Sequence, residues 1–441
     1  MISRPGWVRL WAIAVLAHII GNPRFGQLTP PTALGVSTAI LAVTAAMLLA
    51  RPTRPRLTTV NVLVLVLAWF EAPVIGNHWL LAAVVAAVML VADRRDEAWT
   101  WFAPTARLIL LAFYTWAAFN KLNGGFFDPS TSCAVVYANQ WLAAIGMPGL
   151  PAQASGASVV AVATAAVELS VPLLLLARRT RTIGVVVASA FHLFLSFDLG
   201  QHFYDFTAVL LPLFVLFLPD DGIRTLDKAF ARDRIRLFVP VVGGIALIGL
   251  FPQTRIVDVV VSQAVFVPWA VFTVWYLWWL AGRGAASVPV DLRPPSPLAW
   301  VVVALVVFNG LTPYLEVKTA TSWNMYSNLV TAGGHSNHLV LRRTLPLTDV
   351  QEHLVTVVGS DDPGLSTYVG SGYALPERNL AQYLVERPDV AVTYQQDGHV
   401  AFAHGSDVAR PLDPVRARLQ YFRAVDLETP ARCKLSWLPA G

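Results

Sequence analysis

The chain has 441 residues, 56% of them hydrophobic and 13% charged, with a mean hydropathy of +0.56 and a formal net charge of +5. Charged residues are about half as frequent as the ~25% of a soluble domain, which excludes an ordinary soluble globular protein. The Arg residues sit in short loops between apolar runs, so the positive charge is not a nucleic-acid footprint, and there is no Walker or Rossmann glycine pattern.

Taken in order, apolar runs near the ~20 residues that a bilayer requires cover about 7–21, 33–50, 57–75, 79–92, 104–122, 157–177, 183–198, 203–218, 237–251, 263–281 and 297–315. They predict an all-α polytopic membrane bundle of about eleven transmembrane helices, residues 1–315, in a bacterial-type plasma membrane. The first run lacks a small-residue cleavage site and is expected to be a span. Alternate loops are rich in Arg and Lys: Arg51, Arg54 and Arg56, then Arg94 and Arg95, then Arg178, Arg179 and Arg181, then residues 220–236, then Arg283 and Arg293. The positive-inside rule places these loops and the N-terminus in the cytoplasm, and the intervening loops outside.

Residues 316–441 are more polar. Period-two patches at 338–342 (HLVLR), 353–358 (HLVTVV) and 390–394 (VAVTY), with turn sequences GSDDPG and QQDG, predict a small extracytoplasmic β-rich (α+β) domain. The two cysteines, Cys133 and Cys433, both fall outside the cytoplasm in this topology. They are a disulfide candidate, with two unpaired thiols as the alternative.

Ionisable groups within apolar spans are functional candidates because burying them is costly. Glu71, His78, Lys121, His192, Asp198 and His202 fall on the outer half, and Glu168 nearer mid-span. Lys121 closes an aromatic run, FYTWAAFNK, and precedes Gly124 and Gly125. It is either an interfacial anchor that snorkels outward or a base kept neutral by a dry pocket, able to take a proton from a lipid-soluble hydroxyl. Asn77 and His78, in the turn VIGNHW, could donate to a developing oxyanion or form an ordinary turn. His192 and the stretch 196–203 (SFDLGQHF) make a second polar cluster. The histidines have no zincin-like spacing and no cysteine neighbours, so no metal site is expected. Residues 322–343 form either a linker into the first strand or a loop folded over the mouth of the bundle.

Three stretches and one further segment, in order, resemble the HTTM superfamily, the membrane domain typified by vitamin K-dependent gamma-carboxylase. They are Asn77-His78 opening a span, residues 118–122 (AFNKL) followed by a small turn, residues 191–200 (FHLFLSFDLG) followed by Phe203, and Ser322-Trp323 followed by Met325. Together they run across about residues 60–345. The resemblance implies that Lys121 deprotonates a reduced vitamin K or menaquinol cosubstrate, with Asn77 and His78 at the quinol end. Oxygen then converts the quinol to its epoxide and generates a strong base. In the family that base drives carboxylation of a peptide glutamate by carbon dioxide. Asn120, His192, His202, Trp323 and Met325 are the implied substrate-binding residues.

This chain departs from the family pattern in having Asn120 before the lysine and Asn324 in the Ser-Trp segment, where the family carries basic residues. Its outer domain is also far smaller than the carboxylase's propeptide-gripping region. The resemblance therefore carries quinol oxidation further than protein carboxylation. The rival reading is a non-catalytic membrane scaffold or transporter with an extracytoplasmic partner-binding domain.

Overall fold

A computed structural model of the chain describes residues 4–21, 33–198, 203–231, 265–282, 289–410 and 413–433. The helices of the first part are α1 (Pro5–Gly21), α2 (Ala33–Ala50), α3 (Arg54–Glu71), α4 (Asn77–Ala92), α5 (Ala98–Phe119), α6 (Gly124–Phe127), α7 (Cys133–Ala144), α8 (Ser155–Leu176), α9 (Arg181–Leu195), α10 (Tyr204–Val215), α11 (Asp220–Ala231), α12 (Phe266–Ala281) and α13 (Pro297–Leu311).

The bundle of about eleven transmembrane helices is corrected by this structure. Among the described residues two helices are both long and apolar enough to cross a membrane, α5 and α8, and α5 is largely buried inside the protein. Six other apolar helices, α1, α4, α9, α10, α12 and α13, are only 12–17 residues long. At ~1.5 Å per residue, a 15-residue helix reaches ~22 Å, short of a ~30 Å hydrocarbon core. The runs at 203–218, 263–281 and 297–315 are longer than their helices because they include apolar residues of the turns. The run expected at 57–75 stops at Glu71 and the one at 297–315 stops at Leu311, one residue before the position that precedes Pro73 or Pro313 in each case. Ala72, before Pro73, leaves the helical region, as a residue before proline favours, whereas Thr312, before Pro313, keeps helical backbone and the helix passes into a turn. The run at 237–251 lies outside the described residues.

Much of the apolar composition is instead used inside the protein. Helix α1 is buried on nearly every side and packs against α2, α10 and α11. Its Trp7 donates to the Pro212 carbonyl at 2.7 Å and its Trp11 to Asn61 Oδ1 at 3.0 Å, so both indole N–H groups are satisfied. Helix α5 runs between α4, α8 and α13. Gly310 of α13 lies directly against the Trp116 indole, where a Cβ would overlap the ring. On the outer side the order reverses. Helix α12 exposes Val267, Val271, Val274 and Trp278, and α13 exposes Leu298, Val301, Leu305 and Phe308. Each set repeats every three or four residues and so forms one apolar stripe along its helix.

A small β region is present toward the C-terminus. A five-stranded antiparallel sheet has the order β6-β5-β3-β4-β7, from β3 (Leu354–Ser360), β4 (Tyr373–Pro376), β5 (Ala391–Gln396), β6 (His399–His404) and β7 (Val425–Asp426). Strands β1 (Thr331–Ala332) and β2 (His335–Ser336) pair separately. The helix α15 (Glu377–Val385) lays Leu380, Tyr383 and Leu384 on the sheet face formed by Val355, Val357, Leu375 and Val392. The patches expected at 353–358 and 390–394 are β3 and β5. Asp397 and Gly398, both at positive φ (49° and 82°), make the two-residue turn from β5 to β6. The GSDDPG stretch enters the short helix α14 (Pro363–Ser366), capped by Asp362. Residues 338–342 are not a strand. His338 Nδ1 accepts from the amides of Val340 and Leu341, and this local turn replaces the ladder. The helix α16 (Pro414–Leu419) completes the region.

Candidate functional site

Lys121 follows the C-terminal end of α5 and points inward, with only 4% of its surface exposed. An interfacial anchor would instead extend outward. Its Nζ lies 2.8 Å from Glu168 Oε2 on α8 and donates to the carbonyls of Ala117 (3.2 Å) and Met325 (3.4 Å). All three ammonium donors are thereby used. Pro172 lies one turn beyond Glu168 in α8 and has no N–H to offer the Glu168 carbonyl, which weakens the helix at the residue that faces the lysine.

The Lys121–Glu168 pair forms part of the wall of a cavity of about 550 Å³. That volume lies within the range of small-molecule sites, ~300–1,000 Å³. The rest of the wall is overwhelmingly apolar and aromatic, from Phe113, Tyr137, Phe194, Phe206, Met325 and Tyr326 among others. A second polar group faces the same space. Tyr114 Oη is 2.9 Å from His192 Nε2, and His192 Nδ1 has no hydrogen-bond partner among the described residues. Cys133 also lines the cavity and is disulfide-bonded to Cys433, so α7 is stapled to the end of the β region. The disulfide expected from compartment and cysteine count is therefore present.

The segment 321–328 contributes Met325 and Tyr326 to the cavity wall. Four of its non-glycine residues, Thr321, Trp323, Tyr326 and Asn328, have φ between 50° and 55°. Left-handed backbone at such residues costs ~1–2 kcal/mol each and persists only where surroundings enforce it. Here a ring of side chains does so by bonding the backbone. Asn77 Oδ1 accepts from Trp323 N at 2.9 Å, and Asn120 Nδ2 donates to Trp323 O at 3.1 Å. Asn123 Nδ2 donates to Ser327 O, Asn309 Nδ2 to Thr321 O, and Arg423 to Asn324 O. Burial pushes the Arg423 guanidinium down to about 10. The Trp323 indole is itself 1% exposed and donates to the Val306 carbonyl at 2.8 Å. Residues 321–328 are thus a buried segment that brings Met325 and Tyr326 to the cavity wall, and the chain then enters β1 at Thr331, so the stretch has features of both alternatives.

The structure brings Lys121, His192 and Met325 together around the cavity. Asn120 and Trp323 do not line it. They form its support, joined by Tyr314, whose hydroxyl donates to Asn120 Oδ1 at 2.8 Å. Asn77 likewise reaches the Trp323 backbone rather than the cavity. His202 lies outside the described residues. His78 belongs elsewhere: its Nε2 is 2.9 Å from Asp205 Oδ2. Phe206 stands between it and the cavity, with ring centroids 5.6 Å from His78 and 5.1 Å from His192.

His78 and Asp205 are joined by two groups from other helices. His18 Nδ1 lies 3.7 Å from Asp205 Oδ2, and His18 Nε2 lies 3.4 Å from Glu71 Oε2. One ligand atom each from His18, His78 and Asp205 falls within 4.8 Å of the others. Histidine spacing along the chain, from which no metal site was expected, carries no trace of this set. Its members stand on α1, α4 and α10, and His18 sits in an apolar stretch, LAHII, with no local polar signal.

Comparison with protein-family models, with curated proteins and with solved structures returned no match to this chain.

Proposed function

We propose that the chain is a membrane-embedded enzyme in which Lys121 deprotonates a lipid-soluble quinol for oxygenation by dioxygen. Membrane residence is supported by the composition and by the outward apolar stripes of α12 and α13, which in water would be exposed hydrophobic surface. The observation that carries the catalytic reading is the buried Lys121–Glu168 pair opening on an apolar cavity. The ordered resemblance to the quinol-oxidising HTTM domain points the same way.

The pair suits the chemistry. A proton passing from Lys121 to Glu168 across 2.8 Å leaves a neutral amine and a neutral acid. The amine then takes the quinol hydroxyl proton and becomes an ammonium beside the quinolate. At no stage does the dry cavity hold an unpaired charge, which its low dielectric would penalise. Dioxygen oxidises the quinolate; one oxygen atom enters the ring as the epoxide and the other leaves as water. The aromatic wall binds the quinol ring and part of its chain. Tyr114 and His192 are placed to orient a ring oxygen, and Asn77, Asn120 and Trp323 position the segment that carries Met325 and Tyr326.

A photoactivatable naphthoquinol tests the binding half of this reading. It is expected to label peptides from α7, α8 or residues 321–328, in competition with unlabelled reduced vitamin K or menaquinol. Labelling confined to other parts of the chain, or none, would favour the scaffold or transporter reading.

A further inference from the structure

We propose that His18, His78 and Asp205 bind one divalent first-row transition metal ion, with Glu71 orienting His18. The site is distinct from the quinol cavity and does not depend on quinol chemistry.

Three observations carry it. The first is separation. Two ligands on one metal at ~2.1 Å bonds stand roughly 3.0–3.5 Å apart at octahedral or tetrahedral angles. His78 Nε2 and Asp205 Oδ2 are 2.9 Å apart, His18 Nδ1 and Asp205 Oδ2 are 3.7 Å apart, and all three ligand atoms lie within 4.8 Å. The second is an orphaned donor atom. His18 is 5% exposed and its Nδ1 has no hydrogen-bond partner among the described residues, the Asp205 carboxylate lying 3.7 Å away, while its other nitrogen faces the Glu71 carboxylate at 3.4 Å. Metal-bound imidazoles are held in this way, one nitrogen free for the ion and the other fixed by a carboxylate. The third is rigidity. The ligands come from α1, α4 and α10, with α10 packed on both of the others, and the His18 ring stacks on Trp79 with centroids 3.6 Å apart. At Gly21 a Cβ would sit 2.9 Å from Asp205 Cβ, so the end of α1 approaches the carboxylate as closely as it does only because it lacks a side chain there.

Two neutral imidazoles and two carboxylates carry a charge of −2, which a divalent ion neutralises. Two histidines and one carboxylate leave open positions and suit iron(II), cobalt(II), manganese(II) or zinc(II) rather than magnesium or calcium. The competing account is a metal-free network of two imidazoliums between two carboxylates.

The test uses the full chain purified in detergent, stripped with a chelator and titrated with cobalt(II), followed by visible absorbance and by elemental analysis of the untreated protein. The expected result is saturable binding of one cobalt per chain. His18→Ala, His78→Ala and Asp205→Ala should each weaken it by at least about tenfold. Glu71→Gln should weaken it about 10–100-fold, and His399→Ala, at an exposed strand end, should leave it unchanged. A wild-type titration without saturable binding is decisive whatever the variants do to folding, and the variants locate the ion. No saturable cobalt signal in folded wild-type protein, or a signal that persists in Asp205→Ala, would overturn the assignment.

Discussion

The Lys121–Glu168 pair can be dissected by a double-mutant cycle. Its side chains are 5% and 11% exposed, so solvent screens it little. Lys121→Met leaves the Glu168 carboxylate buried without its cation, and Glu168→Met leaves the ammonium with only the Ala117 and Met325 carbonyls. Breaking a buried ion pair from one side costs about 3–5 kcal/mol, because the surviving charge is uncompensated. The double variant removes both charges and keeps most of the volume. It should lie within about 1 kcal/mol of wild type or be more stable by about 1–4 kcal/mol. The coupling energy of the cycle is therefore several kcal/mol. The assay is thermal or denaturant unfolding in detergent, followed by intrinsic tryptophan fluorescence. If the two single substitutions cost little and add simply in the double variant, the pair is not a buried ion pair and the base assignment loses its partner.

Asn120→Ala strands both the Tyr314 hydroxyl and the Trp323 carbonyl, and should destabilise by about 2 kcal/mol or more, against about 1 kcal/mol for Tyr314→Phe; unfolding curves of the two variants compare them directly. Burial pulls the Lys318 ammonium down to about 8 from its ordinary 10.5, so between these values the unfolded chain binds more protons than the folded one and stability rises with pH. Relative to wild type, Lys318→Met should therefore be more stable near pH 7, by up to about 3 kcal/mol, with the difference shrinking as pH rises toward 9.5. Cys433→Ser removes the covalent staple between α7 and the end of the β region and should cost about 2–4 kcal/mol, a loss that reductant reproduces in wild type but not in the variant.

Helix positions were legible because apolar runs are bounded by Arg, Pro and Gly, but helix lengths were not. Ala72 is apolar in a hydropathy window, yet it precedes Pro73 and leaves the helical region, whereas Thr312 keeps helical backbone and its helix passes into a turn. Burial was also misread: the run around Trp7 and Trp11 has the composition of a lipid-facing span, and the structure wraps it in other helices. Strands β3 and β5 followed from their alternation. The same alternation at 338–342 misled, because His338 bonds the amides that a ladder would need.

At the site, Lys121 was visible as a cation ending an aromatic run, whereas its partner was not. Glu168 reads as a mid-span acid, and only the packing of α8 on α5 brings it to 2.8 Å. Asn77 was singled out for an oxyanion and turns out to hold backbone, because a side-chain amide serves either purpose and sequence does not say what lies opposite. His18 and Asp205 escaped notice for a related reason: their chemistry arises from three helices meeting, with no motif along the chain.

The central claim is tested most directly by oxygen labelling. Purified protein in lipid nanodiscs is incubated with reduced vitamin K or menaquinol under ¹⁸O₂, and the products are analysed by mass spectrometry beside Lys121→Ala. Removing a general base costs about 10²–10⁴-fold in rate. The account predicts epoxide carrying one ¹⁸O atom from wild type, and a loss of that size in Lys121→Ala although the variant still binds quinol. Epoxide formed equally by Lys121→Ala, or no labelled epoxide from wild type that binds quinol, would contradict it.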